Sequence, residues 1–192
     1  MERNEIRKWA KERVFRYDQL KKRKRLVFLA VICLALLLFF WAYVKAGIVL
    51  LLLILLGFAS LLYNKFVRIS LGFEFIVLST VLAGVIYGPL AAFFVGAVAL
   101  FAAEVFNQSF QHSTLVSFIG LGAVSIAIPL FEGMGITSLG ILMAILYNVI
   151  IVPGYILLGS QPWKSFLFAA TDIPFNIWVF AVIAPKLLEL LG

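Results

Sequence analysis

Residues 26–63 read LVFLAVICLALLLFFWAYVKAGIVLLLLILLGFASLLY, and Lys45 is the single charged residue among them. An α-helix rises about 1.5 Å per residue, so roughly 20 apolar residues cross a hydrocarbon core of about 30 Å. The stretch is long enough for two crossings joined by a short connector at Val44-Lys45-Ala46. It predicts a helical protein whose solvent is lipid.

The rest of the chain continues this pattern, since 64% of its 192 residues are hydrophobic and 13% are charged. Soluble domains are about half apolar. The predicted spans are residues 26–43, 47–63, 69–86, 90–106, 118–131, 136–158 and 166–185. Because the connectors are short, neighbouring spans should be antiparallel. We predict an all-α polytopic bundle of about seven spans, with a six-helix core and one N-terminal span, forming a single domain over residues 26–192.

The net charge of +7 lies in residues 1–25, which hold eleven basic and four acidic residues, whereas residues 26–192 hold five of each. Apolar residues recur in this tail at helical spacing: Ile6, Trp9, Ala10, Val14, Tyr17 and Leu20. The pattern predicts a basic amphipathic helix on the membrane lipid, either a topology anchor or a specific lipid or partner site. It does not indicate nucleic-acid binding.

The Lys/Arg bias places the N-terminus in the cytoplasm of a multi-pass cell-membrane protein, and seven crossings would place the C-terminus outside.

Three carboxylates lie inside predicted spans, namely Glu74, Glu104 and Asp172. Because odd and even spans run in opposite directions, the three should reach a similar depth toward one face. A charge deep in lipid costs about 2.5–3.5 kcal/mol on insertion scales, so we expect them to point into the bundle. Asn148 and Asn176 add polar groups there. The five side chains form a candidate substrate site for a small solute; the alternative is plain interhelical hydrogen bonding.

Proline and small residues mark two further features. Pro174 should kink the last span beside Thr171, Asp172 and Asn176, and the freed backbone there could bind something or be satisfied by packing. Separately, small residues recur at intervals of four on either side of Pro89: Gly84, Gly88, Ala92 and Gly96. Such a ridge lets helices approach closely. It serves either packing within the chain or docking of another membrane subunit.

Sequence motifs for catalysis are missing from the chain. It contains no HExxH, GxSxG or Walker lysine loop, and it has one histidine, His112, and one cysteine, Cys33. These cannot build a metal centre of the Cys/His type. We therefore predict that the protein is not an enzyme and uses no metal or cofactor.

Two stretches resemble the substrate-binding (S) components of energy-coupling-factor transporters. They are the Gly-Pro hairpin Leu82-Ala83-Gly84-Val85-Ile86-Tyr87-Gly88-Pro89-Leu90-Ala91-Ala92-Phe93-Phe94-Val95-Gly96, preceded by Ile69-Ser70-Leu71-Gly72-Phe73-Glu74-Phe75, and the late Ile173-Pro174-Phe175-Asn176. The resemblance implies a six-helix bundle over residues 47–192 that binds a vitamin or similar nutrient, with an ATPase-linked partner. It would place Glu74, Glu104, Asp172 and Asn176 at or beside the ligand.

The resemblance also constrains topology. In that family the six-helix core starts inside and the ligand site faces outward, so an extra span ahead of it would put the basic tail outside. Either residues 26–43 and 47–63 do not both cross the membrane, or the chain does not belong to that family. The hairpin and Ala184-Pro185-Lys186-Leu187-Leu188 are also similar to the MreD-type membrane subunit, a scaffold without ligand. The leading hypothesis is a solute-binding transport component, and the alternative is such a scaffold.

Overall fold

The computed structural model describes residue 23 and residues 26–36, 38–65 and 71–191. These residues form eight α-helices: α1 (Leu26–Leu36), α2 (Trp41–Ser60), α3 (Ile76–Tyr87), α4 (Pro89–Asn107), α5 (His112–Ala127), α6 (Ile136–Leu157), α7 (Pro162–Val182) and α8 (Ala184–Leu191). Two short 3₁₀ helices cover Leu62–Lys65 and Ile128–Phe131. The described residues contain no strand, which confirms the all-α class. The helix predicted for residues 1–25 lies, Arg23 apart, outside the described residues.

Five helical stretches are long and apolar enough to cross a membrane: Tyr43–Ser60, Pro89–Asn107, His112–Phe131, Ile136–Leu157 and Pro162–Val182. Two shorter apolar helices are Leu26–Leu36 and Ile76–Tyr87. Apolar side chains cover much of the bundle's outer surface, with Leu90, Leu130 and Leu157 among the most exposed. Such a surface fits lipid rather than water, so the chain is a multi-helix membrane protein.

The chain divides into two compact units, residues 1–45 and residues 46–192. In the first unit, the apolar side chains of α1 are exposed and the rings of Phe39 and Phe40 meet edge to face at 5.2 Å. Its predicted connector at Val44-Lys45-Ala46 is instead helical and belongs to α2. Neither glycine nor proline interrupts these three residues, and lysine and alanine both favour helix.

Helix α3 is the centre of the second unit. It packs against α4, α5, α6, α7 and α8, and its residues from Ile76 to Gly84 are all buried. A helix that is apolar on every face is typical of such a position. The span predicted at residues 69–86 is helical only from Ile76, which leaves α3 about 18 Å long, short of a full crossing. A non-helical stretch, residues 71–75, leads into it.

The Gly-Pro turn joins α3 to α4 as predicted. Gly88 has a φ of +92°, which favours glycine, and Pro89 is the first residue of α4. Gly84, Ala92 and Gly96 are buried where the two helices meet; a Cβ on Gly96 would overlap Thr80 Oγ1. The small-residue ridge therefore packs within the chain.

Helix α5 begins earlier than the fifth predicted span, residues 118–131. The side chain of Gln111 accepts from the backbone of Thr114, and the side chain of Thr114 accepts from the Gln111 backbone N–H at 3.2 Å. This reciprocal cap starts the helix at His112. The fifth span is thereby long enough to cross.

Candidate functional site

Asp172, near the middle of α7, is the centre of a buried polar network. Its side chain is fully buried, and it accepts from Asn148 Nδ2 at 2.6 Å and from Asn176 Nδ2 at 2.8 Å. Asn148 projects from α6, and Asn176 lies one turn along α7. Three of the five predicted site residues are thus in direct contact, although they lie up to 28 residues apart in sequence.

The two asparagines each keep an unpaired oxygen. Asn148 Nδ2 also donates to Ala144 O at 2.9 Å, and Asn176 Nδ2 also donates to Asp172 O at 3.1 Å. Both amide nitrogens therefore face two acceptors, which fixes the amide orientation. Asn148 Oδ1 and Asn176 Oδ1 are buried, and no donor in the described part of the chain reaches them. A buried acceptor left unpaired costs about 1–3 kcal/mol.

The non-helical residues 71–75 lie against α7 beside this network. Gly72 N–H donates to Thr171 Oγ1 at 2.8 Å. A Cβ on Gly72 would overlap the backbone and Cβ of Asp172, so glycine alone allows this approach. Pro174, inside α7, removes the N–H that would bond the carbonyl of Ala170. Irregular backbone thus meets a proline-interrupted helix at the carboxylate.

Side chains at the end of α2 and just beyond it hold the two ends of residues 71–75. The hydroxyl of Tyr63 donates to Leu71 O, and Phe75 N–H donates to Ser60 Oγ at 2.9 Å. Tyr63 lies in the 3₁₀ helix beyond α2. Its burial, helped by the nearby Glu74 carboxylate, raises the pKa of Tyr63 to about 12, so the phenol keeps its proton and remains a donor.

Glu74 is brought to the network by this stretch of backbone. It is 5% exposed. The acidic groups close enough to act on it electrostatically are Asp172 and Glu104. Two buried carboxylates beside one another are costly when both are ionised, unless a proton or a cation lies between them.

Glu104 lies at the edge of the cluster rather than inside it. It is half-buried near the end of α4 and accepts from Ser109 Oγ at 2.7 Å. Asn107 of the same helix donates instead to Leu61 O at 3.0 Å. His112 is exposed at the start of α5.

Two tyrosines of α6, the buried Tyr147 and the half-buried Tyr155, lie near the cluster and were not predicted from the sequence. Tyr147 and Tyr155 of α6 both lie close enough to Glu74 to interact with it electrostatically. Tyr155 Oη pairs with Ser117 Oγ of α5 at 2.5 Å, and its ring meets Phe168 of α7 at 6.5 Å. The eight-residue spacing of the two tyrosines puts them on one helix face, a signal that counting carboxylates overlooks.

The Ser117–Tyr155 pair gives a test of this part of the site. Interhelical hydrogen bonds in membranes are worth about 0.6 kcal/mol on average, so Ser117→Ala should lower the free energy of unfolding by about 0.5–1.5 kcal/mol. Urea unfolding in detergent measures the change. Ser113→Ala, at a half-buried position in the first turn of the same helix, is the control. An equal loss in both variants would mean that the pair contributes nothing.

Two lysine side chains lie close to aromatic rings. Lys65 Nζ lies 4.6 Å from the ring centre of Phe106, and Lys164 Nζ lies 5.7 Å from that of Trp163. Within the described residues, no group of three or more His, Cys, Asp or Glu side chains is placed to hold a metal ion. The site therefore consists of carboxylates, amides and phenols.

No family model, curated protein or solved structure matches the chain. The resemblance to S components therefore depends on the sequence stretches named above, and the buried polar cluster is the structural feature that bears on function.

Proposed function

We propose that this chain is a solute-binding component of a membrane transport system, and that it binds its solute without converting it. The observation that carries the proposal is the buried Asp172–Asn148–Asn176 network with Glu74 beside it. Ionisable groups within membrane spans are expensive, and they commonly mark substrate or ion pathways. Packing alone could be achieved by apolar residues at lower cost.

The backbone around the cluster supports the same proposal. Non-helical backbone at membrane depth is tolerated where it lines a site or is buried in protein, and transporters often bind solutes at such broken elements. Residues 71–75 and the Pro174 region of α7 meet at the carboxylates. By resemblance to S components, an ATPase-linked membrane partner would supply the energy for transport.

The alternative is a membrane scaffold of the MreD type. Its predicted docking surfaces were the small-residue ridge and the basic tail. In the ridge, Gly84, Ala92 and Gly96 are buried within the chain, and the tail lies, Arg23 apart, outside the described residues. The ridge therefore gives this alternative no support.

The solute-binding proposal is tested by native mass spectrometry of the full-length protein released from nanodiscs. We expect wild type to carry a small molecule, Asp172→Asn and Glu74→Gln to lose at least about 90% of it, and Glu104→Gln to lose less. Glu132→Gln, exposed in the turn before α6, is the matched control. A bare wild-type mass, or equal occupancy in all variants, would remove the proposal.

We also propose a cell-membrane location with the N-terminus in the cytoplasm and the basic helix of residues 1–25 on the inner lipid surface. The Lys/Arg distribution supports this orientation. The number of crossings is less simple. Phe40 N–H donates to Leu36 O at 2.8 Å and Val44 N–H to Phe40 O at 3.0 Å, which is α-helical spacing. The resemblance to S components supports six crossings in total, with residues 71–87 counted as one of them, rather than the seven predicted from sequence.

Six crossings place the C-terminus in the cytoplasm, as the S-component topology requires. A reporter active only inside, fused after Gly192, should therefore be active, whereas a periplasm-dependent reporter at the same position should not. The opposite result would mean seven crossings and would contradict the S-component topology.

A further inference from the structure

The chemistry of the solute can be narrowed from the unpaired groups of the cluster. Asn148 Oδ1 and Asn176 Oδ1 are acceptors, and their amide groups are held against the Asp172 carboxylate by their own nitrogens. Since the oxygen and nitrogen of an amide share one carbon, both oxygens lie close to that carboxylate. The site thus contains two hydrogen-bond acceptors that a solute with N–H or O–H donors could pair.

The charge of the cluster also favours a solute that carries hydrogen-bond donors. Glu74 is buried near Asp172, and the acidic groups acting on it favour a proton or a cation at this position. An anionic solute would be repelled. A neutral donor could satisfy the amide oxygens but would leave the two carboxylates facing one another.

The remaining lining is aromatic. Tyr147 and Tyr155 lie near Glu74, and Phe168 packs against the Tyr155 ring. Carboxylates combined with aromatic faces are typical of sites for organic cations.

We propose, on the basis of the solute-binding function proposed above, that the solute carries a primary ammonium group bound beside Asp172 and Glu74, whose negative charge it balances. An ammonium has three N–H donors and no acceptor. Two donors reach Asn148 Oδ1 and Asn176 Oδ1, and the third faces Glu74. Its organic part lies toward Tyr147 and Tyr155.

The test uses thermal unfolding of the full-length protein in nanodiscs with matched probes. Benzylammonium carries charge and donors, benzyl alcohol has a donor without charge, benzoate has the opposite charge, and benzyltrimethylammonium has charge without N–H donors. Sodium chloride is the inorganic arm. We expect benzylammonium to raise the unfolding temperature at least about tenfold more potently than any of the other probes, with the shift lost in Asp172→Asn and kept in Glu132→Gln.

The inference is overturned if benzylammonium gives no shift, or if the alcohol, benzoate, the quaternary ammonium or sodium shifts the unfolding temperature equally. The wild-type comparison among probes does not depend on any variant folding. Mass spectrometry of the retained molecule separates the two proposals. An Asp172-dependent neutral or anionic molecule would leave solute binding standing and remove the ammonium class, whereas a bare protein that responds to no probe would remove both.

Discussion

Gly140→Ala should unfold the bundle or destabilise it by about 3 kcal/mol or more. Gly140 lies in α6 where it meets α7, and a Cβ there would overlap ring atoms of Phe180. Phe180 is fully buried, so its ring has no free space into which to move. Overpacking a tight interior typically costs about 1–3 kcal/mol and sometimes more, and this overlap involves several atoms of one rigid ring.

Gly47→Ala is the matched control for this prediction. A Cβ on Gly47 meets no atom within 4 Å, and alanine favours a helix interior over glycine by about 0.5–1 kcal/mol. Unfolding temperature and the yield of monodisperse protein in detergent measure both variants. If Gly140→Ala were as stable as Gly47→Ala, the α6–α7 packing described above would be incorrect.

Gly72→Ala should abolish solute retention while leaving the helical bundle folded. The added Cβ would overlap the backbone of Asp172, and no side-chain rotation can relieve a clash with backbone. Residues 71–75 would have to leave α7, which breaks the 2.8 Å bond from Gly72 N–H to Thr171 Oγ1 and withdraws Glu74 from the cluster. We expect at least about a tenfold loss of the retained molecule, measured by native mass spectrometry.

Gly122→Ala controls for a new methyl group in a helical span. Its nearest neighbour would be the Phe93 ring at 3.7 Å, an ordinary contact. Circular dichroism should show native helix content in both variants. Full retention in Gly72→Ala would contradict the placement of residues 71–75 against α7.

The composition of the site was largely predictable from sequence, and its geometry was not. Charge cost alone directs Glu74 and Asp172 inward, and the structure places both inside. Glu104 is only half-buried. Ser109, just beyond the end of α4, donates a hydrogen bond to its carboxylate in a more exposed position. Hydropathy cannot separate these cases, since it does not record which side chains follow a helix end.

The start of α3 could not be predicted because residues 69–75 are mostly apolar and run directly into the apolar residues of α3. Glycine at position 72 was the one local signal, and its role depends on contact with Asp172, a hundred residues later in the sequence. The helical residues 44–46 were missed for the opposite reason. A charged residue between apolar runs resembles a connector, but lysine is a good helix former.

The central claim is that residues 71–75 lie against α7, so that Glu74 and Asp172 share one interior site. The ring of Phe73 lies 5.5 Å from that of Phe175, whereas Phe93 of α4 lies beside Gly122 of α5. Cysteine pairs at 73/175 and 93/175, made in a Cys33→Ser background, can be treated with a short bifunctional maleimide in native membranes and followed by mass spectrometry. We predict that the 73/175 pair cross-links and that the 93/175 pair does not. No cross-link at 73/175, or equal cross-linking of both pairs, would contradict it.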